Sequence, residues 1–206
     1  MIKWINKITG VTDRRNTWKQ AAEEMGGKFI QGSWFVSDTL EYVYTSQSSK
    51  HSWKIALYID SGDEDSSTFH EISVTYISPD GFECRLYEEN FLSPLSKRLG
   101  FQDIVIGDQK FDKSYVIKGN DVEKTKMLLN SQPIKDCIYK EQGIRLYIQQ
   151  ISKPYSYVGI ENVHRIIYST ANLLETSERI VQLFTLYCLI LERLENIGSA
   201  KGYMEK

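Results

Sequence analysis

The stretch FHEISVTYISPDGFECRLYEE, residues 69–89, decides which kind of sheet this chain can build. Apolar and polar residues alternate before and after its middle, as they do in strands with one covered face. In the middle, Pro79 presets its own backbone angle, and Asp80-Gly81 tolerates the positive φ of a tight turn. The stretch therefore predicts an antiparallel hairpin.

Toward the N-terminus, the same alternation continues in WKIALYID, residues 53–60, which predicts a third strand. Short apolar segments at 28–36 and 40–45 predict two more, so that an antiparallel meander results. Before them, DRRNTWKQAAEEMGG, residues 13–27, carries apolar residues at helical spacing and ends in two glycines. That pattern predicts an amphipathic helix with a glycine stop.

Toward the C-terminus, FDKSYVIKGND, residues 111–121, fits either a ligand-binding loop or a strand that leads into a helix. Residues 111–118 alternate as a strand does, and Gly119 permits a change of direction. Asn120 or Asp121 can then cap a helix at its first turn. We interpret the stretch as a strand-to-helix joint and keep a ligand site at the Asn120-Asp121 corner as the alternative.

The remaining elements follow from the same signals. The patterns predict a short helix at 93–100, a strand at 103–108, helices at 122–129 and 134–140, a strand at 143–150 and an extended loop at 152–159. The last prediction is a long helix from about residue 162 to 197, because apolar residues recur there at alternating steps of four and three.

Near its C-terminal end, this last helix is apolar nearly all round. Either it is buried between two layers there, or a second chain covers part of it. The second reading predicts a self-association interface made of Leu183, Leu186, Tyr187 and Ile190.

Together these elements predict an α+β protein: a curved, mainly antiparallel sheet (a meander) packed against a long C-terminal helix, with short N-terminal and central helices. We expect a single domain, residues 1–206. It can be subdivided into helix plus meander (1–100) and strand, helix, strand and long helix (101–197).

The composition limits which classes of binding partner and which cell compartment we expect. The 206 residues carry a formal net charge of -2, so no basic field favours nucleic acid or an anionic membrane. Cys84, Cys137 and Cys188 are an odd and widely spaced set, which is typical of a reducing compartment. The longest nearly apolar run, 180–191, is too short to span a bilayer. These observations predict a cytoplasmic chain with no membrane span and no nucleic-acid partner.

Motifs that carry chemistry are missing from the sequence. His51, His70 and His164 are isolated from one another, and the acidic run SGDEDSS at 61–67 lacks calcium-loop spacing. Neither a nucleophile elbow nor a glycine-rich phosphate loop occurs. We therefore expect no catalytic residue, no metal and no cofactor, and lean against an enzyme.

Two functions stay open. The first is a non-enzymatic binding or protein-interaction module of unspecified partner, for which a homo-oligomer is one option. The alternative is a small-ligand carrier or an enzyme with a site over the concave face of the sheet. For that site the candidate ligand-binding residues are Tyr115, Asn120, Asp121, Arg145 and Tyr157.

The segment FDKSYVI, at 111–117, and the order of elements around it resemble a broad group of uncharacterised bacterial proteins. In that group an F-D-x-x-[FY]-x-[VI] strand leads into a helix. The resemblance covers about residues 101–197. It implies the architecture above and a bacterial cytoplasmic source, and it assigns no catalytic residue.

Overall fold

A computed structural model of the protein describes residues 2–33, 36–60, 69–88, 102–151, 162–170 and 174–202. These residues form the helices α1 (Ile2–Met25), α2 (Gln109–Ser114), α3 (Val122–Leu129), α4 (Gln132–Lys140) and α5 (Ser177–Asn196). They also form the strands β1 (Lys28–Ile30), β2 (Thr39–Thr45), β3 (Ser52–Asp60), β4 (Phe69–Ile77), β5 (Cys84–Glu88), β6 (Gln102–Asp103), β7 (Tyr115–Gly119), β8 (Arg145–Gln150) and β9 (Val163–Thr170).

The described strands make one open sheet in the order β1-β2-β3-β4-β9-β8-β5-β7-β6. Each strand is antiparallel to its neighbours in that order. The first four strands run as the predicted meander, and α5 packs on the sheet. The predicted α+β class is therefore confirmed.

The predicted hairpin at 69–89 is wrong, although both of its strands exist. β4 pairs with β3 and β9, while β5 pairs with β8 and β7, so the β8–β9 pair lies between the two strands. The gap of three strand spacings is about 14 Å. Residues 78–83 can cross it, because six extended residues reach about 20 Å.

Asp80 holds this connection in place through contacts with neighbouring elements. Its carboxylate accepts hydrogen bonds from the Phe82 amide at 3.1 Å and the Ser199 hydroxyl at 2.8 Å, and it also pairs with Lys124. Burial would raise the pKa of Asp80, but the hydrogen bonds from Lys124 and Ser199 lower that pKa to about 2. The turn is therefore fastened to α3 and to the segment after α5.

The helices pack on one face of the sheet. Trp18 and Ala21 of α1 and Leu183 and Phe184 of α5 are almost fully buried. They share a core cluster with alternate residues of the strands, among them Leu40, Ile55, Leu57, Ile72, Val74 and Tyr168. The burial of this continuous apolar layer is the main stabilising contribution to the fold.

The four residues of the predicted self-association interface lie inside this core. Leu183, Leu186, Tyr187 and Ile190 are 0–1% exposed, and the Tyr187 hydroxyl donates to the Ile72 carbonyl oxygen. The helix is apolar nearly all round because the sheet covers one side and neighbouring helices cover the flanks. This burial counts against an interface at these positions.

The predicted long helix 162–197 is wrong in its first part. Residues 163–170, VHRIIYST, form strand β9. Helix α5 begins only at Ser177, and Thr176 caps it by accepting a hydrogen bond from the Arg179 amide at 3.3 Å. The segment is rich in β-branched residues, which favour strands. Its apolar residues happen to continue the helical spacing of α5, so the periodicity fitted both structures.

The joint at 111–121 is confirmed in its second half only. Residues 109–114 form the short helix α2, which Asp108 caps by accepting hydrogen bonds from the Lys110 and Phe111 amides. The strand therefore starts at Tyr115 and not at Phe111. The helices predicted at 122–129 and 134–140 are present as α3 and α4.

Other predictions have mixed outcomes. Of the strand predicted at 103–108, only Asp103 lies in a strand, β6. The predicted strand at 143–150 is present as β8. The predictions for 61–67, 93–100 and 152–159 lie outside the described residues.

We expect His70 to make the fold sensitive to acid. His70 is buried, and its Nδ1 atom accepts a hydrogen bond from the Leu174 amide at 3.2 Å. Burial is the largest cause that lowers the pKa of His70, and the positive charges of Arg14 and Arg179 add to it, so that the pKa is about 4. His70 therefore binds a proton more readily in the unfolded chain than in the folded chain. The free energy of unfolding is highest above about pH 6.5 and falls as the pH drops toward 4. We expect a loss of about 3 kcal/mol across this window. Urea unfolding at a series of pH values measures it.

The variant His70→Gln supplies the control for this prediction. Glutamine keeps a hydrogen-bond acceptor for the Leu174 amide but does not titrate. Its free energy of unfolding should change much less between pH 6.5 and 4 than that of the wild type. Equal slopes for both proteins would assign the acid sensitivity to other groups.

Candidate functional site

The second face of the sheet, opposite the helices, carries the outward positions of the strands. Among its described side chains, the basic ones are more numerous than the acidic ones: Lys28, Lys54, Arg85, Lys118, Arg145 and Arg165 against Glu41, Glu71 and Asp103. The chain as a whole has a net charge of -2. This face therefore has a charge balance opposite in sign to that of the whole molecule.

A pair of small residues creates a hollow on this face. Ala56 of β3 and Ser73 of β4 lie directly opposite each other in the strand register. Along β3, the outward neighbours of Ala56 are Lys54 and Tyr58, and each stands about 6.7 Å away because side chains alternate across the sheet. The larger neighbours rise around the two small residues and form a rim.

We call this hollow the Ala56–Ser73 cavity. Its volume is about 340 Å³, and its lining residues are Val43, Ser52, Trp53, Lys54, Ala56, Tyr58, Ser73, Val74, Thr75 and Arg165. That volume lies at the lower end of the range of small-molecule sites. At roughly 30 Å³ per water, it corresponds to about ten waters. The lining mixes apolar surface with hydroxyls and two cations.

Arg165 is held on the rim by two partners. Its Nη2 atom donates to the Tyr58 hydroxyl oxygen at 3.2 Å, and its Nη1 atom lies 3.7 Å from the Glu71 carboxylate. Tyr58 in turn donates its hydroxyl hydrogen to Glu71. Burial, and then the hydrogen bond to Glu71, raise the pKa of Tyr58 to about 12. The phenol therefore stays protonated at neutral pH, and the network is ordered before any ligand arrives.

Lys54, on the opposite rim, is held far more loosely. Its ammonium lies 3.4 Å from the Glu41 carboxylate, and its side chain is 52% exposed. An exposed ion pair of this kind contributes about 0–1 kcal/mol. The ammonium can therefore turn from Glu41 toward a group in the cavity at little cost.

The sequence-predicted ligand residues take part in local packing and capping. The hydroxyl of Tyr115, a buried residue, donates to the Ile138 carbonyl oxygen at 3.4 Å. The Asn120 side chain accepts from the Glu83 amide at 2.9 Å and donates to the Gly81 carbonyl oxygen at 2.7 Å. The Asp121 carboxylate accepts from the Lys124 amide at 2.9 Å and caps α3.

These predicted residues do not converge on one site. In the strand register, Tyr115 faces Glu88 and Arg145 faces Tyr87, both at one end of β5. Asn120 lies beyond the opposite end of that strand. Tyr157 lies outside the described residues.

The sequence patterns did not identify the residues of the Ala56–Ser73 cavity, and the reason is physical. Alternation in the sequence already indicates that Ala56 and Ser73 point away from the apolar side of their strands. Only the pairing register shows that they lie opposite each other, and register is not readable from one strand. The spacing of apolar residues predicts a helix at Arg165, so the sequence does not indicate its place beside β4.

A second polar cluster joins the β2–β3 turn to the end of α5. The Glu195 carboxylate accepts from the Ser46 hydroxyl at 2.6 Å and lies 2.7 Å from Nδ1 of His51. A hydrolytic triad needs the histidine between the serine and the acid. Here the acid lies between them, and Ser46 is fully buried. The cluster therefore fastens the turn to α5.

Other chemical groups offer no further site in the part of the chain that the structure describes. Its His, Cys, Asp and Glu residues form no group of three that could hold a metal ion. Burial raises the pKa of the Cys84 and Cys188 thiols to about 12, so both are protonated at neutral pH. Within the same ranges, none of the helices has both the length and the apolar character that crossing a membrane requires.

Comparison with known proteins adds one likeness. No protein-family model and no curated protein matches the chain. Among solved structures, the chain is similar to the crystal structure of the mycobacterial trehalose monomycolate transport factor A, TtfA. The TM-score is 0.49 at 6% sequence identity, with 93% of this chain and 98% of that chain covered. A likeness at this level carries no conclusion about what this chain binds.

Proposed function

We propose that the chain is a non-enzymatic binding module that takes a small molecule in the Ala56–Ser73 cavity. The observation that supports this proposal is the hollow of about 340 Å³, with apolar, hydroxyl and cationic groups around one small-residue pair. Binding sites for small molecules combine an apolar surface with a few placed polar groups in this way. Of the two functions left open by the sequence, this is the ligand-carrier alternative.

The prior ordering of Arg165 favours binding. Its guanidinium is already oriented by Tyr58 and Glu71. A ligand therefore does not have to immobilise a long, flexible side chain, and that ordering is one of the main costs of association.

The lining favours binding over catalysis. Its described hydroxyls belong to Ser52, Tyr58, Ser73 and Thr75, and none of the described lining residues is a histidine or a carboxylate. A hydroxyl nucleophile needs an adjacent base to become reactive. Glu71, which stands across from Tyr58 on the same face, is already engaged by Tyr58 and Arg165.

The variant Ala56→Leu tests the proposal. The larger side chain fills the floor of the cavity, and we expect the affinity for any cavity ligand to fall at least about tenfold. The measurement is ligand-observed NMR of the full chain with a panel of anionic, neutral and cationic fragments. Thermal unfolding should stay near that of the wild type, because Ala56 faces away from the core.

Ser169→Leu is the matched control. Ser169 is an outward residue of β9 that does not line the cavity, so its substitution should leave fragment binding unchanged. If no fragment of any charge binds the wild type, or if Ala56→Leu binds as the wild type does, the proposed function is wrong.

A further inference from the structure

We propose that the ligand of the Ala56–Ser73 cavity is a small organic anion, with its acid group between Lys54 and Arg165 and an apolar body over Val43 and Ala56. This inference rests on the proposed function and adds the chemical class of the ligand to it.

The first support is the placement of the charges. Both basic residues, Lys54 and Arg165, belong to the cavity lining, whereas their acidic partners Glu41 and Glu71 do not. Within the described lining, a bound group therefore contacts these two cations, and Glu41, directly across from Ala56 on β2, is engaged by Lys54. An ammonium group on a ligand would meet two like charges and, among the described lining side chains, no carboxylate.

The second support is the strand register. Thr75 of β4 pairs with Arg165 of β9. Lys54 faces Thr75 from the other side, one residue beyond the pair Ile55–Val74. The three residues thus form a row across three strands, and the backbones that carry the two cations are about 10 Å apart. The Arg165 guanidinium reaches along the face to Tyr58, so a carboxylate between it and Lys54 lies over the Ala56–Ser73 pair, beside the hydroxyls of Ser73 and Thr75.

The third support is the apolar surface next to this row. Val43 pairs with Lys54 on the neighbouring strand and is 59% exposed, and Ala56 forms the adjacent floor. An exposed valine on a strand face gains free energy when a ligand covers it. A ligand whose acid group lies between Lys54 and Arg165 can therefore cover this apolar surface with its remaining part.

The division between a fixed and a movable cation fits this class of ligand. Arg165 keeps its orientation through Tyr58 and Glu71, so it can present donors without reorganisation. Lys54 can leave Glu41 at little cost and close on the acid group. An anion would therefore bind to one preorganised residue, Arg165, and to one movable residue, Lys54.

The test compares three benzene derivatives of similar size and different charge: benzoate, benzamide and benzylammonium. Calorimetric or NMR titration of the full chain should give an affinity for benzoate about tenfold higher than for benzamide, with benzylammonium weakest. Raising the ionic strength to about 0.15 M should reduce this preference, because the Lys54 contact is exposed to solvent.

The variants separate the roles of individual residues. Lys54→Met keeps most of the aliphatic stem and should lower the affinity for benzoate about tenfold and that for benzamide much less. Lys28→Met makes the same change on the same face outside the cavity and should have no effect.

The outcomes distinguish this inference from the proposed function. Equal affinity for benzoate and benzamide, or unchanged benzoate binding in Lys54→Met, overturns the anionic class and leaves the binding function intact. The same holds if neutral fragments bind in an Ala56-dependent manner and benzoate does not. If fragments of every charge fail to bind, the proposed function fails and this inference fails with it.

Discussion

Replacing Arg179 with methionine is expected to lower the free energy of unfolding by about 3–5 kcal/mol. The guanidinium contacts Oε2 of Glu141 through Nε at 3.1 Å and Nη2 at 2.8 Å. Glu141 has a side chain only 1% exposed, so it cannot recover water when the partner is removed. An uncompensated buried carboxylate is the physical reason for the large loss.

The position of this pair increases the effect. Glu141 directly follows α4, Arg179 lies in the first turn of α5, and the hydroxyl of Tyr168 on β9 donates to the same carboxylate at 3.0 Å. One carboxylate therefore joins two helices to the centre of the sheet. Chemical denaturation of the purified variant measures the loss.

Two further variants make the result specific. Arg193→Met, the same change elsewhere on α5, removes only a solvent-accessible hydrogen bond to the Met127 carbonyl oxygen and should cost about 1 kcal/mol. Adding Glu141→Leu to Arg179→Met should restore part of the lost stability, because an apolar pair no longer contains a buried charge. If the double variant is as unstable as the sum of its single changes, the two residues are not energetically coupled.

Leu186→Ala is the second substitution with a large expected effect. Leu186 is 1% exposed between the sheet and the neighbouring helices, and truncation leaves a cavity there. We expect the free energy of unfolding to fall by about 2–5 kcal/mol. Light scattering should show the same oligomeric state for the variant and the wild type, because the residue packs within its own chain.

Leu189→Ala is the matched control on the same helix. Leu189 is only partly buried, so the identical change should cost less than about half as much. The alternative reading of the apolar helix, as a contact between chains, predicts the opposite pattern. A change of oligomeric state with stability unchanged would support that reading for Leu186.

Local patterns in the sequence predicted most elements of this fold. The cap at Asp121 and the alternation in β3, β4, β5 and β8 are short-range signals, because each depends on neighbouring residues in the chain. α3 and α4 were predicted within two residues of their observed bounds for the same reason.

The errors arose where long-range contacts decide the structure. Asp80-Gly81 has the chemistry of a hairpin turn, but β9 pairs with β4 and β8 pairs with β5, and the two inserted strands separate the arms of the expected hairpin. In 163–170, the spacing of apolar residues fits both a helix and a strand. Pairing with β4 on one side and β8 on the other decides in favour of the strand.

The candidate site was less predictable than the fold. A hollow depends on which small residues face each other across strands, as Ala56 and Ser73 do. A single sequence does not contain that register. The residues that looked most like ligand-binding groups, Asn120 and Asp121, proved to be the groups that a turn and a helix cap require.

The interleaving of β8 and β9 between β4 and β5 also governs the order in which the chain can fold. During synthesis, β4 leaves the ribosome with its edge unpaired until residues 163–170, about ninety positions later, have been made. Such distant pairing slows folding, and an open strand edge can join with other nascent chains. Truncated chains that end before β9 should therefore aggregate, and chaperone binding to the unfinished sheet should end once β9 is in place.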